Sequence, residues 1–210
     1  KTVPVIDFYD QQGKFFPIDG IGTVDEVFER LTDKIEDILA QTLLNVVFFG
    51  PPGAGKGTQA KRIAERFNMV YVSTGEMIRK EVENQTELGK IAKPYLETGD
   101  IVPDDIAIRL IERKIAEHKN IKGFIFKGFP STLVQAYIMG GLLKKLDTSV
   151  SLVIEIKTST LQSLKRLTAR SKTANARTYD MNPETIIHRL EVFEQRSCKI
   201  AEFYRQQEKM

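Results

Sequence analysis

GPPGAGKGTQ, residues 50–59, lies between the apolar run LLNVVFF (43–49) and the stretch AKRIAERF (60–67). The first flank is rich in branched and aromatic residues, as in a buried strand. The second places Ala60, Ile63, Ala64 and Phe67 at i, i+3, i+4 and i+7, the period of an amphipathic helix. A strand, a glycine-rich turn and a helix in that order let backbone amides converge on phosphate oxygens, and the helix N-terminus adds positive potential. Lys56 supplies a mobile point charge there. The match to G-x-x-x-x-G-K-[ST] departs at one place, because Gly57 follows Lys56 and the hydroxyl residue is Thr58. Gly53, Ala54, Gly55, Lys56, Gly57 and Thr58 are therefore the candidate phosphate-binding residues.

Working outward, further strands are expected at Met69–Val72, Gly123–Phe126 and Val150–Ile156, beside the one at Leu43–Phe49. Helical periods separate them. Ala107, Leu110, Ile111 and Ile115 form one stripe, and Ile186, Leu190, Phe193, Ser197, Ile200 and Tyr204 form another. Strands alternating with helices predict an α/β fold, a parallel sheet covered on both faces in three layers.

Composition narrows the function classes. The 210 residues are 41% hydrophobic and 28% charged, ordinary for a globular protein. A net charge of +3 is too mild to argue for nucleic acid or a membrane surface. The apolar runs are far shorter than a bilayer span, and KTVPVIDFYD has no apolar leader core, although the chain does not begin with methionine. Cys198 is the single cysteine, so neither an internal disulfide nor a cysteine-built zinc site is expected; it reads as a helix residue without chemistry. His118 and His188 are isolated and read as surface or helix positions. A reducing, cytoplasmic setting fits this usage.

Five further segments share a pattern. These are STGEMIR (73–79), GDIVPDD (99–105), GFP (128–130) with Gln135, RLTAR (166–170), and Arg177 with Arg189. Together with the GKGT ending of the phosphate loop, residues 43–205 resemble the adenylate kinases, nucleoside monophosphate kinases of the short-lid form. The resemblance implies a P-loop domain over residues 42–210, with a helical acceptor-binding insert at about 73–103 and a lid at about 170–180. It implies magnesium-dependent phosphoryl transfer from ATP to AMP, chemistry that rests on positioning and charge neutralisation. Lys56, Arg170, Arg177 and Arg189 are the implied catalytic residues. Residues 53–58 and Arg166 would bind ATP. Thr74, Gly75, Arg79, Val102, Gly128, Gln135, Arg177 and Arg189 would bind AMP. Arginine forks suit this role because they grip phosphate oxygens bidentately. Magnesium would be held through phosphates and waters near Thr58, with no protein ligand assigned. In the family a threonine at the place of Thr74 goes with AMP, so the resemblance favours AMP over UMP or CMP, and a UMP/CMP kinase is the substrate-level alternative. Only SKTANA separates Arg170 from Arg177, too short for a zinc-binding insertion.

Two departures bear on the chemistry. Where the family reads D-G-[FY]-P-R, this chain reads KGFPS, so Lys127 replaces an aspartate that organises magnesium waters and Ser131 replaces an arginine that grips the AMP phosphate. Three roles are open to Lys127. Its head reaches solvent and catalysis weakens; or it contacts ATP phosphate and lowers the magnesium requirement; or the chain is a nucleotide-binding module with little turnover, part of a larger assembly.

The ends repeat one another. VIDFYDQQGK (5–14) resembles IAEFYRQQEK (200–209), and only the first copy continues into FFPIDG and TVDEVFERLTDKIEDIL. Residues 1–41 thus read as the strand–helix tail of a kinase domain, from a preceding domain of a tandem array or from a permuted chain. Either origin predicts that Phe15–Ile18 pairs in a sheet, within the chain or by exchange between copies, so that neighbouring kinase domains or a swapped dimer through residues 4–40 are the candidate partners.

Overall fold

The structure is a computed structural model and describes residues 17–19, 21–41, 43–118, 121–207 and 209. The chain divides into two units, Lys1–Thr42 and Leu43–Met210. The described part of the first unit is dominated by one helix, α1 (Val24–Gln41). Thr23 and Glu26 open it reciprocally: the Glu26 carboxylate accepts from Thr23 N–H at 2.7 Å and the Thr23 hydroxyl accepts from Glu26 N–H at 3.3 Å, a capping box. Of the expected strand at residues 15–18, Phe15 and Phe16 lie outside the described residues, and Pro17 and Ile18 are not part of a strand.

The described residues of the second unit carry four parallel strands, β1 (Val46–Phe49), β2 (Val70–Ser73), β3 (Phe124–Lys127) and β4 (Leu152–Glu155), in spatial order β2-β3-β1-β4. Among the described residues of the unit, seven α-helices follow in chain order: α2 (Lys56–Arg66), α3 (Thr74–Glu83), α4 (Glu87–Thr98), α5 (Asp104–Ala116), α6 (Leu133–Lys144), α7 (Thr160–Ser171) and α8 (Pro183–Arg205). The four expected strands are present, each shorter or shifted by up to three residues, because ladder pairing rather than apolar content sets their ends.

Successive strand residues face opposite layers. Val47, Phe49, Phe124, Phe126 and Val153 face one core, shared with Ile111 of α5, Met139 and Leu143 of α6, and Ile200 and Tyr204 of α8. Val46, Phe48 and Ile125 face the other, shared with Ala60 and Ala64 of α2. Apolar residues on both sides of each strand thus produce a buried parallel sheet. Asn45 secures its lower edge: the amide donates to Ser149 O at 2.9 Å and Thr148 Oγ1 at 3.0 Å, and its oxygen accepts from Phe124 N–H at 3.3 Å. Parallel register then brings the carboxyl ends of β1, β2 and β3 to one rim, with Phe48 opposite Lys127 and Lys127 opposite Ser73. Ligands of open α/β sheets bind at that rim.

Candidate functional site

The turn after β1 is shaped by glycine. Gly53 has φ +82°, and a Cβ there would meet Ser163 O at 2.8 Å; Gly55, preceding α2, has φ +92°. Both lie in the left-handed region that a side chain disfavours. No side chain caps α2 at Gly55, so its first amides point into the turn without a side-chain acceptor. Lys56 folds back over the turn, its ammonium donating to Gly50 O and, at 2.7 Å, to Pro51 O. Thr58 is exposed on the first turn of α2. Arg166 of α7 reaches the same turn, 3.4 Å from both Gly53 O and Ala54 O.

A second group of cations gathers around Tyr179, in the short turn Thr178–Asp180. The Tyr179 hydroxyl accepts from Arg79 at 2.9 Å and from Arg177 at 3.0 Å. The Arg189 guanidinium lies over its ring, 3.8 Å from the centroid, a cation–π contact. Tyr179 itself is buried. Arg189 Nη1 is buried and has no hydrogen-bond partner among the described residues. Arg170, by contrast, gives both arms of its fork to Asp180, at 2.7 Å each. Asp180 also accepts from Arg177 N–H at 3.2 Å. The fork of Arg170 thus braces the turn between α7 and α8 in this structure rather than standing free.

Lys127 joins the two groups. It stands at the end of β3, its ammonium 3.4 Å from Ser73 Oγ, and its Cε lies 4.0 Å from where a Cβ on Gly57 would be. Burial, then repulsion from Arg177 and Arg79, lowers its pKa to about 7; Glu76 opposes the shift. Lys56 is lowered to about 7 by burial and by Lys127, Arg189 and Arg177. Arg189 is lowered as well, first by burial. The carboxylate acting on Lys127 is Glu76. Burial pushes it up, but hydrogen bonds from Lys61 and Tyr71 outweigh that and leave it lowered. It receives the Tyr71 hydroxyl at 3.0 Å and Lys61 at 3.1 Å.

The residues expected on the acceptor side separate by partner. Thr74 is buried at the start of α3, its hydroxyl 3.5 Å from Lys127 O, and Gly75 and Arg79 follow on the same helix. A Cβ on Gly128 would lie 2.9 Å from Thr74 Oγ1. Val102 is buried with Ile78, Ala92, Ile106 and Leu110, tying α3 and α4 to α5. Gln135 is fully buried. It donates to Asp104 at 2.8 Å and accepts from Ser131 N–H at 2.7 Å and Ser131 Oγ–H at 3.0 Å. Both oxygen lone pairs and one N–H are committed, which leaves one N–H for any other partner. Ser131, at the place of the family's arginine, thus anchors the turn into α6.

Tyr179, Tyr71, Asp104 and Asp180 were not among the candidates. TYD in RTYDMN carries no spacing that marks it; only the surrounding arginines in space give Tyr179 its place. His188 also has a partner, Asp100 at 2.6 Å, linking α8 to the end of the insert.

Comparison with known proteins agrees with this architecture. A family model described as adenylate kinase matches residues 48–209. An adenylate kinase of Azobacteroides pseudotrichonymphae genomovar. CFP2 is 39% identical over 168 residues, covering 80% of this chain and 87% of the relative. One from Flavobacterium psychrophilum is 36% identical over 167 residues, with the same two shares, 80% and 87%. One from Archaeoglobus fulgidus is 42% identical over 132 residues, 63% of this chain and 61% of the relative. A family model over residues 48–209, with relatives 36–39% identical over 80% of the chain, places the chain in the adenylate kinase family.

Proposed function

We propose that this chain binds ATP and AMP side by side and moves the terminal phosphoryl group of ATP to AMP, giving two ADP. The observation that carries this reading is a set of five cations, Lys56, Arg79, Lys127, Arg177 and Arg189, none of which has a carboxylate within ion-pair distance among the described residues. Partly buried positive charge without a counter-ion is costly. A ligand carrying several phosphate groups supplies the missing charge, and the unpartnered Nη1 of Arg189 is a ready donor to it.

In this reading the turn amides and Lys56 hold the donor phosphates, with Arg166 at the outer side of the turn. Arg79, Arg177 and Arg189, pre-set by Tyr179, grip the acceptor phosphate and the group in transit. No covalent intermediate is needed, since transfer rests on alignment and charge neutralisation. The turn between Ser171 and Arg177 covers the site and keeps out water, which would otherwise take the phosphoryl group. Arg170 acts through Asp180 by bracing that turn. Gln135 acts by fixing the segment around Ser131, and Thr74 and Gly128 border the acceptor. Magnesium is proposed to enter as part of the ATP complex. Among the described residues no three acidic, histidine or cysteine side chains converge, and an ammonium stands at the rim, so the residues do not fit a protein-held divalent ion. Among the described residues no helix is long and apolar enough to cross a membrane; a reducing cytoplasm is the proposed setting.

The names of the relatives support AMP over UMP or CMP as acceptor. Lys127 and Ser131 favour a second reading, a nucleotide-binding module with little turnover. ADP formation from ATP and AMP decides between them. Turnover that falls at least about a hundredfold in Lys56→Met supports the kinase, since a charged hydrogen-bond donor at the reacting phosphates contributes on this scale. ATP binding without ADP formation selects the module.

A further inference from the structure

At the carboxyl rim of the sheet, the end of β3 carries an amine. Lys127 is flanked in register by Phe48 and Ser73, so its side chain emerges between the phosphate turn and the start of the acceptor insert. Its stem passes beneath Gly57, the residue after Lys56. The charges that act on it are Arg177, Arg79, Glu76 and Arg189, and it acts in turn on Lys56. Glu76 is already taken by Lys61 and Tyr71. Among the described residues the ammonium has one hydrogen bond, to Ser73 Oγ at 3.4 Å, and it is long. An ammonium has three donors, and most of this one's capacity is therefore unspent beside the loop.

A divalent ion on a polyphosphate does two things: it neutralises charge and holds the oxygens in one arrangement. It needs oxygen ligands or ordered waters around it. A carboxylate at the end of β3 would favour such an ion. An ammonium there repels it, and itself performs the first of the two tasks.

We propose that Lys127 is a built-in counter-cation of the triphosphate site, so that this chain binds ATP free of divalent metal about as well as it binds the magnesium complex. The inference rests on the nucleotide-binding reading above and deepens it by naming the ionic form of the ligand. It concerns binding, and holds whether turnover is fast or slow.

The test is calorimetric titration of the full chain with ATP, once in excess magnesium and once in EDTA, at constant ionic strength. The expected result is that the two dissociation constants agree within about threefold. Lys127→Met is expected to weaken metal-free ATP at least about tenfold, the scale of one charged hydrogen bond, and to weaken the magnesium complex less. Lys127→Asp is expected to prefer the magnesium complex by at least about tenfold. Lys127→Arg should keep the metal-free affinity, which a purely structural role for the lysine would not require. The proposal is overturned if the unmodified chain binds metal-free ATP more than tenfold weaker than the complex, or if Lys127→Met leaves the ratio of the two constants unchanged. Failure of the unmodified chain to bind either form would instead remove the nucleotide-binding reading itself. Circular dichroism of each variant separates loss of fold from loss of the site.

Discussion

The guanidinium of Arg189 rests 3.8 Å from the centre of the Tyr179 ring, and the hydroxyl of the same tyrosine receives Arg79 and Arg177. One aromatic side chain therefore sets the directions of three arginines that come from α3, the residue preceding the turn Thr178–Asp180, and α8. Tyr179→Phe keeps the ring and removes the acceptor. The expected outcome is a rise of about tenfold in KM for AMP with an unchanged melting temperature, given ~1.5 kcal/mol or more for a hydrogen bond to a charged group. Tyr179→Leu, which also removes the cation–π face, should lower kcat as well. Initial rates at varied AMP measure both.

Arg170 and Asp180 form a forked pair in which Asp180 is 2% exposed. Removing one partner of such a pair leaves an uncompensated charge, which typically costs about 3–5 kcal/mol. Asp180→Ala should therefore lower the stability of the chain by roughly 3 kcal/mol in urea unfolding. Arg170→Lys, which cannot make the fork, should fall between the two. If Asp180→Ala unfolds at the same urea concentration as the unmodified chain, the bracing role of Arg170 is wrong.

Lys56 and Lys127 both have pKa values lowered to about 7 from 10.5, burial being the first cause of each. A folded value below the unfolded one means that the folded state holds fewer protons between pH 7 and 10.5, so stability rises with pH across that window and the burial penalty is fully present below it. Phosphate favours the charged amines and reverses the shift. ATP binding at pH 8.5 should therefore take up protons, to a limit of about two for the coupled pair, and uptake should vanish by pH 6. Titration in buffers of different ionisation enthalpy reads the number directly. Lys127→Met should reduce it.

His188 and Asp100 join α8 to the end of the insert at 2.6 Å, and both are nearly half exposed. The His188 hydrogen bond, then that of Thr98, holds the Asp100 carboxyl below its usual range. Its contribution is present above the ordinary value of 3.8 and is lost as pH falls through the lowered one. At this exposure the pair is worth less than about 1 kcal/mol. Asp100→Asn should change the melting temperature at neutral pH little, and a double-mutant cycle with His188→Gln measures the coupling.

The strand–turn–helix around Lys56 was legible because its features are local. Left-handed backbone at Gly53 and Gly55 and the period of α2 depend on residues within a turn of one another. The alternation of apolar runs and amphipathic stripes likewise carried the parallel sheet, since each strand is apolar on both faces. The limits of the strands were less legible, because pairing with a neighbour ends a ladder.

The sequence by itself therefore determined the class of fold, the glycine-rich turn after β1, and which cations were available near it. Tertiary structure alone decided how those cations are used. Arg79 and Tyr179 are 100 residues apart and meet only when α3 lies against the turn at Thr178–Asp180. Arg170 was equally suited on paper to a phosphate, yet its fork matches Asp180, which folding buries beside it. Gln135 offered both a donor and an acceptor, and Asp104 and Ser131 took them. An arginine or an amide carries the same hydrogen-bonding groups wherever it stands. Which acceptor lies within 3 Å of it depends on how the chain packs, and no spacing along the chain records that.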